Sequence, residues 1–116
     1  MNDENFGSYF QSIRKSKNIT QEEIANSVNK VKMTISQIEN NKNEPPNGKF
    51  LKELIDSLSL SDEKQKRKLY FLASKQRKTL PIDIEEYFFS NEEIYNTIIR
   101  AMKKDKKDRD WKEIFK

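Results

Sequence analysis

Two short helical patterns follow one another between residues 20 and 41, in the stretch TQEEIANSVNKVKMTISQIENN. Within each pattern, apolar residues recur three and four positions apart, the spacing that aligns them on one face of an α-helix. Only the dipeptide NK separates the two patterns, and it contains no glycine. The stretch therefore predicts two short helices joined by a tight turn, with the first helix bracing the second.

The first of these helices has a clear beginning. Thr20 is a favourable N-cap, because its hydroxyl can accept a hydrogen bond from a free amide of the first turn. Glu23, three residues later, completes a capping box. Ile24, Ala25 and Val28 then form the inner face, where a small alanine allows a close helix crossing.

The second helix, predicted at about 31–41, has two chemically different sides. At about 100° per residue, Val31, Ile35 and Ile38 lie together on the inner side. The opposite side is polar and carries no carboxylate: Lys32, Met33, Ser36, Gln37 and Asn40. A helix that only faces water has no reason to keep negative charge off one side, whereas a surface that meets DNA does. The pattern therefore favours a helix that faces DNA.

Helical patterns also dominate the rest of the chain, and strand patterns are almost absent. The stretch KNEPPNG, with two prolines and a glycine, predicts a loop after the second short helix. The other predicted helices cover about 6–17, 48–58, 61–77, 83–89, 91–104 and 110–115. We therefore expect an all-α fold.

Residue types that carry much of enzyme chemistry are missing. The 116 residues include no cysteine and no histidine, which removes disulfides, thiolate zinc sites, thiol nucleophiles and imidazole catalysis. Glu22 and Glu23 do not make a catalytic pair, because adjacent helical side chains do not face each other. The sequence therefore predicts a protein that is not an enzyme and uses no metal or cofactor.

The N-terminal stretch MNDENFGSYF is acidic and lacks the apolar segment of a signal peptide. No apolar run approaches the roughly 20 residues that a membrane helix needs. Together with the absence of cysteine, these features predict a cytoplasmic protein with no membrane contact.

Charge is divided unevenly along the chain. Residues 1–60 hold eight Lys/Arg and eight Asp/Glu, whereas residues 61–116 hold fifteen and eleven, which accounts for the net charge of +4. A DNA surface in the first part must therefore come from local arrangement of side chains. The basic runs 64–68 and 103–109 are expected to be solvated faces. We predict a domain boundary near residue 60.

The pattern over residues 19–41 resembles the core of the lambda-repressor/Cro-like (XRE family) helix-turn-helix regulators, and the resemblance extends over about residues 9–58. Many positions agree at once: Thr20, Gln21, Glu23, Ile24, Ala25, Val28, Ile35, Ser36, Ile38, Glu39 and Asn40. Pro45 and the apolar helix after it also lie where the family has its fourth helix. The resemblance implies a lambda-repressor-like helix-turn-helix bundle with a C-terminal helical extension, whose recognition helix enters the DNA major groove.

The resemblance also implies roles for individual residues. DNA bases would be contacted by Lys32, Met33, Ser36 and Gln37. DNA phosphates would be contacted by Gln21, Asn40, Asn41 and Lys42. Arg14 and Glu39 match a partly buried ion pair that locks the first helix to the recognition helix in some members.

The turn between the two short helices departs from the family pattern. The family usually has glycine where this chain has Asn29, but asparagine tolerates the left-handed backbone conformation. Lys30 replaces the usual apolar residue of the turn, and Val31 replaces the usual Ser/Thr cap. We predict that Val31 takes over the apolar anchor while Asn29 caps a longer start of the recognition helix. Asn41 replaces a second glycine.

The last part of the chain resembles a two-helix tail by which some members of this family oligomerise. The predicted interface is apolar: Ile94, Ile98, Ile99, Met102, Trp111 and Phe115. The same side chains could instead pack against their own chain or hold a second protein.

The leading hypothesis is a transcriptional regulator, most simply a repressor, that binds double-stranded DNA as a homodimer on a pseudo-palindromic operator. The alternative is an antitoxin-like or antirepressor-binding protein that uses the same fold for autoregulation. Its main role would then lie in residues 61–116.

Overall fold

The computed structural model describes residues 4–105, and these form seven α-helices and no strand. The helices are α1 (Phe6–Ser16), α2 (Gln21–Ser27), α3 (Lys32–Glu39), α4 (Gly48–Asp56), α5 (Glu63–Arg77), α6 (Ile82–Phe88) and α7 (Glu92–Asp105). The prediction of an all-α fold is confirmed. None of these helices is long and apolar enough to cross a membrane.

The chain divides into two compact units, of which the structure describes residues 4–81 and 82–105. The first unit packs α1 to α5 around one apolar core. Its fully buried large side chains come from all five helices and the turn after α4: Phe6, Phe10, Ile24, Ile35, Leu54, Ile55, Leu58 and Leu69. Burying one such side chain contributes about 1.5–3 kcal/mol. This core holds the short α2 and α3 in place, since helices of seven and eight residues are marginal on their own.

The helix α1 crosses α3 at a glycine. A Cβ atom at Gly7 would lie 2.7 Å from the carbonyl oxygen of Glu39 and closer still to that of Ile38. Both neighbours are backbone atoms, so they cannot move aside cheaply. The absence of a side chain at Gly7 therefore sets how closely α1 approaches the end of α3.

The helix α5 belongs to the same packed unit as the first four helices. Asp62 caps its beginning by accepting a hydrogen bond from the Lys64 amide, at 2.8 Å. Leu69, Leu72 and Ala73 are buried in the common core. The sequence placed a boundary near residue 60, whereas the packed unit continues to Pro81. The assignment of residues 61–116 to oligomerisation stays a prediction.

One residue that the sequence assigned to the inner face of α3 lies elsewhere. Val31 is the N-cap of α3, with extended backbone angles of −92° and 156°, and it is 67% exposed. The helix starts one residue later than the apolar spacing suggested, so Val31 precedes the first turn and points away from the core. The prediction that Val31 is an apolar anchor is therefore wrong, and Ile35 and Ile38 carry the inner face.

The second unit contains α6 and α7. Phe88, the last residue of α6, packs edge-on against Phe89 and Tyr95, with ring centroids 4.9 and 5.9 Å away. None of the described residues of α7 is buried. The apolar side of α7 is therefore only partly covered.

Candidate nucleic-acid interface

The four residues predicted to contact bases lie along α3 on the side away from the core. Lys32 is exposed at the first position of the helix, and Met33 follows at 66% exposure. Ser36 and Gln37 are half-buried one turn later. The side chain of Asn43 donates to Gln37 Oε1 over 3.2 Å. Sequence reasoning missed Asn43, because it lies in the loop beyond the helix and nothing in the helical spacing points to it.

No carboxylate interrupts this side of α3. The helix contains one acidic residue, Glu39, and only 3% of it is exposed. Its carboxylate is turned into the protein, where it meets a cation. The outward surface of α3 therefore presents a lysine, a thioether, a hydroxyl and an amide, groups that can contact the donors, acceptors and methyl groups of base edges in the major groove.

A buried ion pair ties α1 to the end of α3. Arg14 Nε lies 2.6 Å from Glu39 Oε2, and Arg14 Nη2 lies 2.9 Å from Glu39 Oε1, so the two planar groups meet in a two-point arrangement. Arg14 Nη1 also donates to the Ile19 carbonyl over 2.8 Å. The structure thus holds Arg14 and Glu39 in the ion pair that the family resemblance implied.

Gln21 joins this network from the first turn of α2. Its Nε2 donates to Glu39 Oε1 over 2.9 Å, so this carboxylate oxygen accepts from both Arg14 and Gln21. A side-chain amide nitrogen carries two hydrogens, and one of them is used here. The network therefore links α1, α2 and α3 through one carboxylate, and it leaves Gln21 a second donor.

An open depression lies beside Gln21. Its lining includes Lys15 from α1, Asn18 and Thr20 from the connecting turn, and Lys32 from α3. Lys15 was not predicted as a site residue, because the end of α1 reaches this depression only through the fold. Arg14, Ile19, Gln21 and Glu22 complete the lining, so basic side chains outnumber the one carboxylate, and the depression can receive a phosphate group.

The opposite end of α3 carries the second predicted set of phosphate contacts. Asn40, Asn41 and Lys42 are all exposed. Asn41 has a left-handed φ of 57°, which takes the chain out of the helix, and its Nδ2 donates to Asn5 Oδ1 over 2.7 Å. Asn5 is the N-cap of α1. The start of α1 thus stabilises the loop that follows α3.

The turn between α2 and α3 keeps its geometry without glycine. Asn29 has a φ of 58°, the left-handed conformation that asparagine tolerates. The Lys30 amide donates to the Ala25 carbonyl over 2.9 Å, and its ammonium lies 5.2 Å from the centre of the Phe50 ring. The prediction that Asn29 caps a longer α3 is wrong, because Val31 is the N-cap and makes no side-chain cap.

The predicted oligomerisation residues are only partly within the described region. Ile94, Ile99 and Met102 are half-buried on α7, and Ile98 is 41% exposed. Trp111 and Phe115 lie outside the described residues. The structure therefore gathers four of the six predicted residues on one helix.

Comparison with known proteins assigns part of the first unit to a family. Residues 10–61 match the family model described as Helix-turn-helix. No curated protein and no solved structure matches the chain. The matched segment begins within α1 and ends after α4, so it includes α2, the Asn29 turn and α3. Residues 10–61 are a helix-turn-helix domain of the XRE/lambda-repressor-like family, and this domain supports DNA-binding transcriptional regulation as the role of the chain.

Proposed function

We propose that this regulator recognises a specific DNA sequence, acts as a repressor, and binds a pseudo-palindromic operator as a homodimer in the cytoplasm. The observation that supports sequence recognition is the outward side of α3. It is accessible, free of carboxylates, and held from beneath by Ile35, Ile38 and the Arg14–Glu39 pair. A rigid helix with such a face suits the major groove, which is about 12 Å wide.

The proposed base recognition follows from the chemistry of four side chains. Gln37 can donate to and accept from adenine N6 and N7 at once, and Lys32 can donate to guanine O6 and N7 or to a phosphate. Met33 can pack against the methyl group of thymine. Ser36 can donate to either kind of base. Each good contact discriminates against a wrong base by about 1–3 kcal/mol.

Phosphate contacts would flank the recognition helix on both sides. At one end, the free hydrogen of Gln21 Nε2 and the exposed ammonium of Lys32 can meet a phosphate oxygen. At the other end, the exposed side chains of Asn40 and Lys42 and the backbone around Asn41 are available. Such contacts position a protein on the duplex without reading its sequence.

Dimerisation is proposed because one α3 offers few base contacts. Two copies on half-sites about one helical turn apart would double these contacts. The apolar side of α7, with Ile94, Ile98, Ile99 and Met102, is the proposed interface, together with Trp111 and Phe115. The support is that none of the described residues of α7 is buried within a single chain.

A second function is compatible with the same surface. An antitoxin-like or antirepressor-binding protein would use the partly covered side of α7 to hold a different protein, and it would use DNA binding for autoregulation. A stoichiometric complex with a second protein in place of a homodimer would favour this alternative.

The substitution Gln37→Ala tests the proposed function. Binding sites are first selected from a random DNA pool with the full chain, and affinities are then measured at one stated salt concentration. Losing the adenine contact in each half-site is expected to lower specific affinity about 5- to 150-fold per bound protomer, which corresponds to about 1–3 kcal/mol per contact. Non-specific affinity and the melting temperature should stay almost unchanged.

Gln65→Ala serves as the control. It also removes a glutamine side chain, but from the first half of α5 instead of α3. It should leave both affinities as they are. If Gln37→Ala weakens specific and non-specific binding equally, Gln37 does not read bases, and the proposed recognition surface is wrong.

A further inference from the structure

We propose that the C-terminal end of α5 is a further DNA-backbone contact, in which Lys75 and Lys78 bind phosphates beside those met by the loop after α3. This inference rests on the proposed function, because it extends the same DNA interface. It changes the expected footprint on DNA, since α5 lies outside the segment matched by the family model.

The end of α5 is fixed to the loop that follows the recognition helix. Arg77 Nη1 donates to the Pro45 carbonyl over 2.8 Å and lies 3.3 Å from the carboxylate of Glu44. Lys75 precedes Arg77 by two positions, and Lys78 follows it by one. Both lysines are therefore close to Arg77 along the helix axis; at about 100° per residue, Lys75 extends from the other side of α5, and Lys78 is the C-cap.

A second set of contacts connects α5 to the same region through the start of α1. The Phe6 amide donates to Gln76 Oε1 over 2.6 Å. The neighbouring Asn5 accepts a hydrogen bond from Asn41, one of the residues predicted to meet a phosphate. Hydrogen bonds thus connect the end of α5, the start of α1 and the loop after α3.

The charge along α5 after its first residue is strongly one-sided. Residues 64–78 include seven Lys/Arg and no Asp/Glu. Glu44 is the nearby acidic residue of the loop, and its pairing with Arg77 reduces the repulsion that it would exert on a phosphate. Because Glu44 is paired with Arg77, the local electrostatic potential depends mainly on Lys42, Lys75 and Lys78.

Several cations of α5 are already engaged within the protein. Lys66 lies 3.5 Å from Glu63, and Lys68 lies 2.6 Å from Glu4, whose hydrogen bond raises the pKa of Lys68 above its usual value. Lys75 and Lys78, in contrast, are exposed and make no ion pair with any residue from 4 to 105. They are therefore available to an anionic partner.

A simpler role for these lysines is to complement the helix dipole, since cations stabilise the C-terminal end of a helix by about 0.3–1 kcal/mol. That role predicts a loss of stability on neutralisation and no change in DNA binding. An acidic protein would also suit the charge, but continuity with the loop after α3 favours the DNA backbone.

The test compares neutral variants of equal length: Lys75→Gln and Lys78→Gln, singly and together, against Lys64→Gln. Lys64 lies on the same exposed side of α5, about 16 Å from Lys75 along the helix axis, because each residue adds about 1.5 Å. Lys42→Gln, in the loop after α3, serves as the positive control. Binding of the full chain to a duplex of arbitrary sequence is followed by fluorescence anisotropy at several salt concentrations.

Each lost phosphate contact should reduce the slope of log K against log salt by about 0.9 per bound protomer. The double variant is therefore expected to lose about 1.8, Lys42→Gln about 0.9, and Lys64→Gln close to nothing. Melting temperatures are measured for every variant, so that a folding defect is recognised.

Three outcomes would overturn the inference. Slopes that fall equally for Lys64→Gln and Lys75→Gln would indicate a diffuse field instead of a local contact. If the slope of log K against log salt is unchanged in the Lys75→Gln and Lys78→Gln variants, with or without a lower melting temperature, these residues do not take part in DNA binding. If Lys42→Gln also has no effect, or the unaltered chain binds no duplex, the proposed phosphate contacts after α3 fail as well.

Discussion

Breaking the Arg14–Glu39 pair is the most direct test of how α3 is held. Both side chains are almost completely buried, and each makes hydrogen bonds beyond the pair. Substituting one partner leaves the other as a buried charge without its counter-ion, which typically costs about 3–5 kcal/mol. Arg14→Met and Glu39→Gln are therefore each expected to lower the free energy of unfolding by about 3 kcal/mol or more.

This loss is large for a unit of this size. A packed unit of about 80 residues is stable by roughly 4–12 kcal/mol, at about 0.05–0.15 kcal/mol per residue. Each kcal/mol lowers the melting temperature of such a unit by about 4–8 °C. Either single variant should thus melt at least about 12 °C below the original protein.

The double variant Arg14→Met with Glu39→Met measures the coupling energy between the two charged side chains. Because it leaves no unpaired charge, it is expected to cost far less than the sum of the single losses, with a coupling energy of about 2 kcal/mol or more. Urea unfolding followed by circular dichroism gives the three free energies, and unchanged m-values check that unfolding remains comparable.

An exposed pair on the same unit is the control. Lys52 Nζ lies 2.8 Å from an oxygen of Asp56, with side chains 69% and 55% exposed. Surface pairs contribute about 0–1 kcal/mol, so Lys52→Met should have a small effect. If Glu39→Gln costs no more than Lys52→Met, or if the two single losses simply add, the buried pair does not lock α3 to α1.

Two further predictions concern packing and assembly. Gly7→Ala, which in an ordinary helix position would stabilise by about 1 kcal/mol, should instead destabilise by about 2–3 kcal/mol, because its Cβ meets backbone oxygens of α3; an unchanged urea midpoint would contradict the close crossing. Ile98→Asp should lower the dimer fraction in sedimentation velocity, whereas Thr97→Asp, about 100° around the helix from Ile98 and outside the apolar side of α7, should not; equal behaviour of both variants would remove α7 from the interface.

Much of the fold could be predicted because its signals are local. The Thr20 hydroxyl accepts from the Glu23 amide over 3.0 Å, and the Glu23 carboxylate accepts from the Thr20 amide over 2.8 Å, as the capping box requires. Asn29 and Asn41 adopt the left-handed conformation that their residue type permits. Such features depend on neighbours within a few positions, which the sequence displays directly.

The features that escaped prediction depend on contacts between distant residues. The periodicity of apolar residues could not fix the first residue of α3, because Val31 offers no capping side chain, and so its exposure was not foreseen. Likewise, an apolar stripe on α5 does not specify which helices will cover it. The hydrogen bond from Gln21 to Glu39 joins residues eighteen positions apart, and it appears only once α1, α2 and α3 are packed.

The buried carboxylate of Glu39 has a consequence for how such a regulator can change its target. The orientation of α3 is maintained entirely from its inner side, by Gly7, Arg14 and Gln21 together with the isoleucines. On the outward side, Gln37 accepts one exposed hydrogen bond from Asn43 and Ser36 one from Asn40, so these positions carry little of the structural duty. New operator preferences should accordingly be obtainable by exchanging a few outward side chains, while the scaffold beneath stays intact.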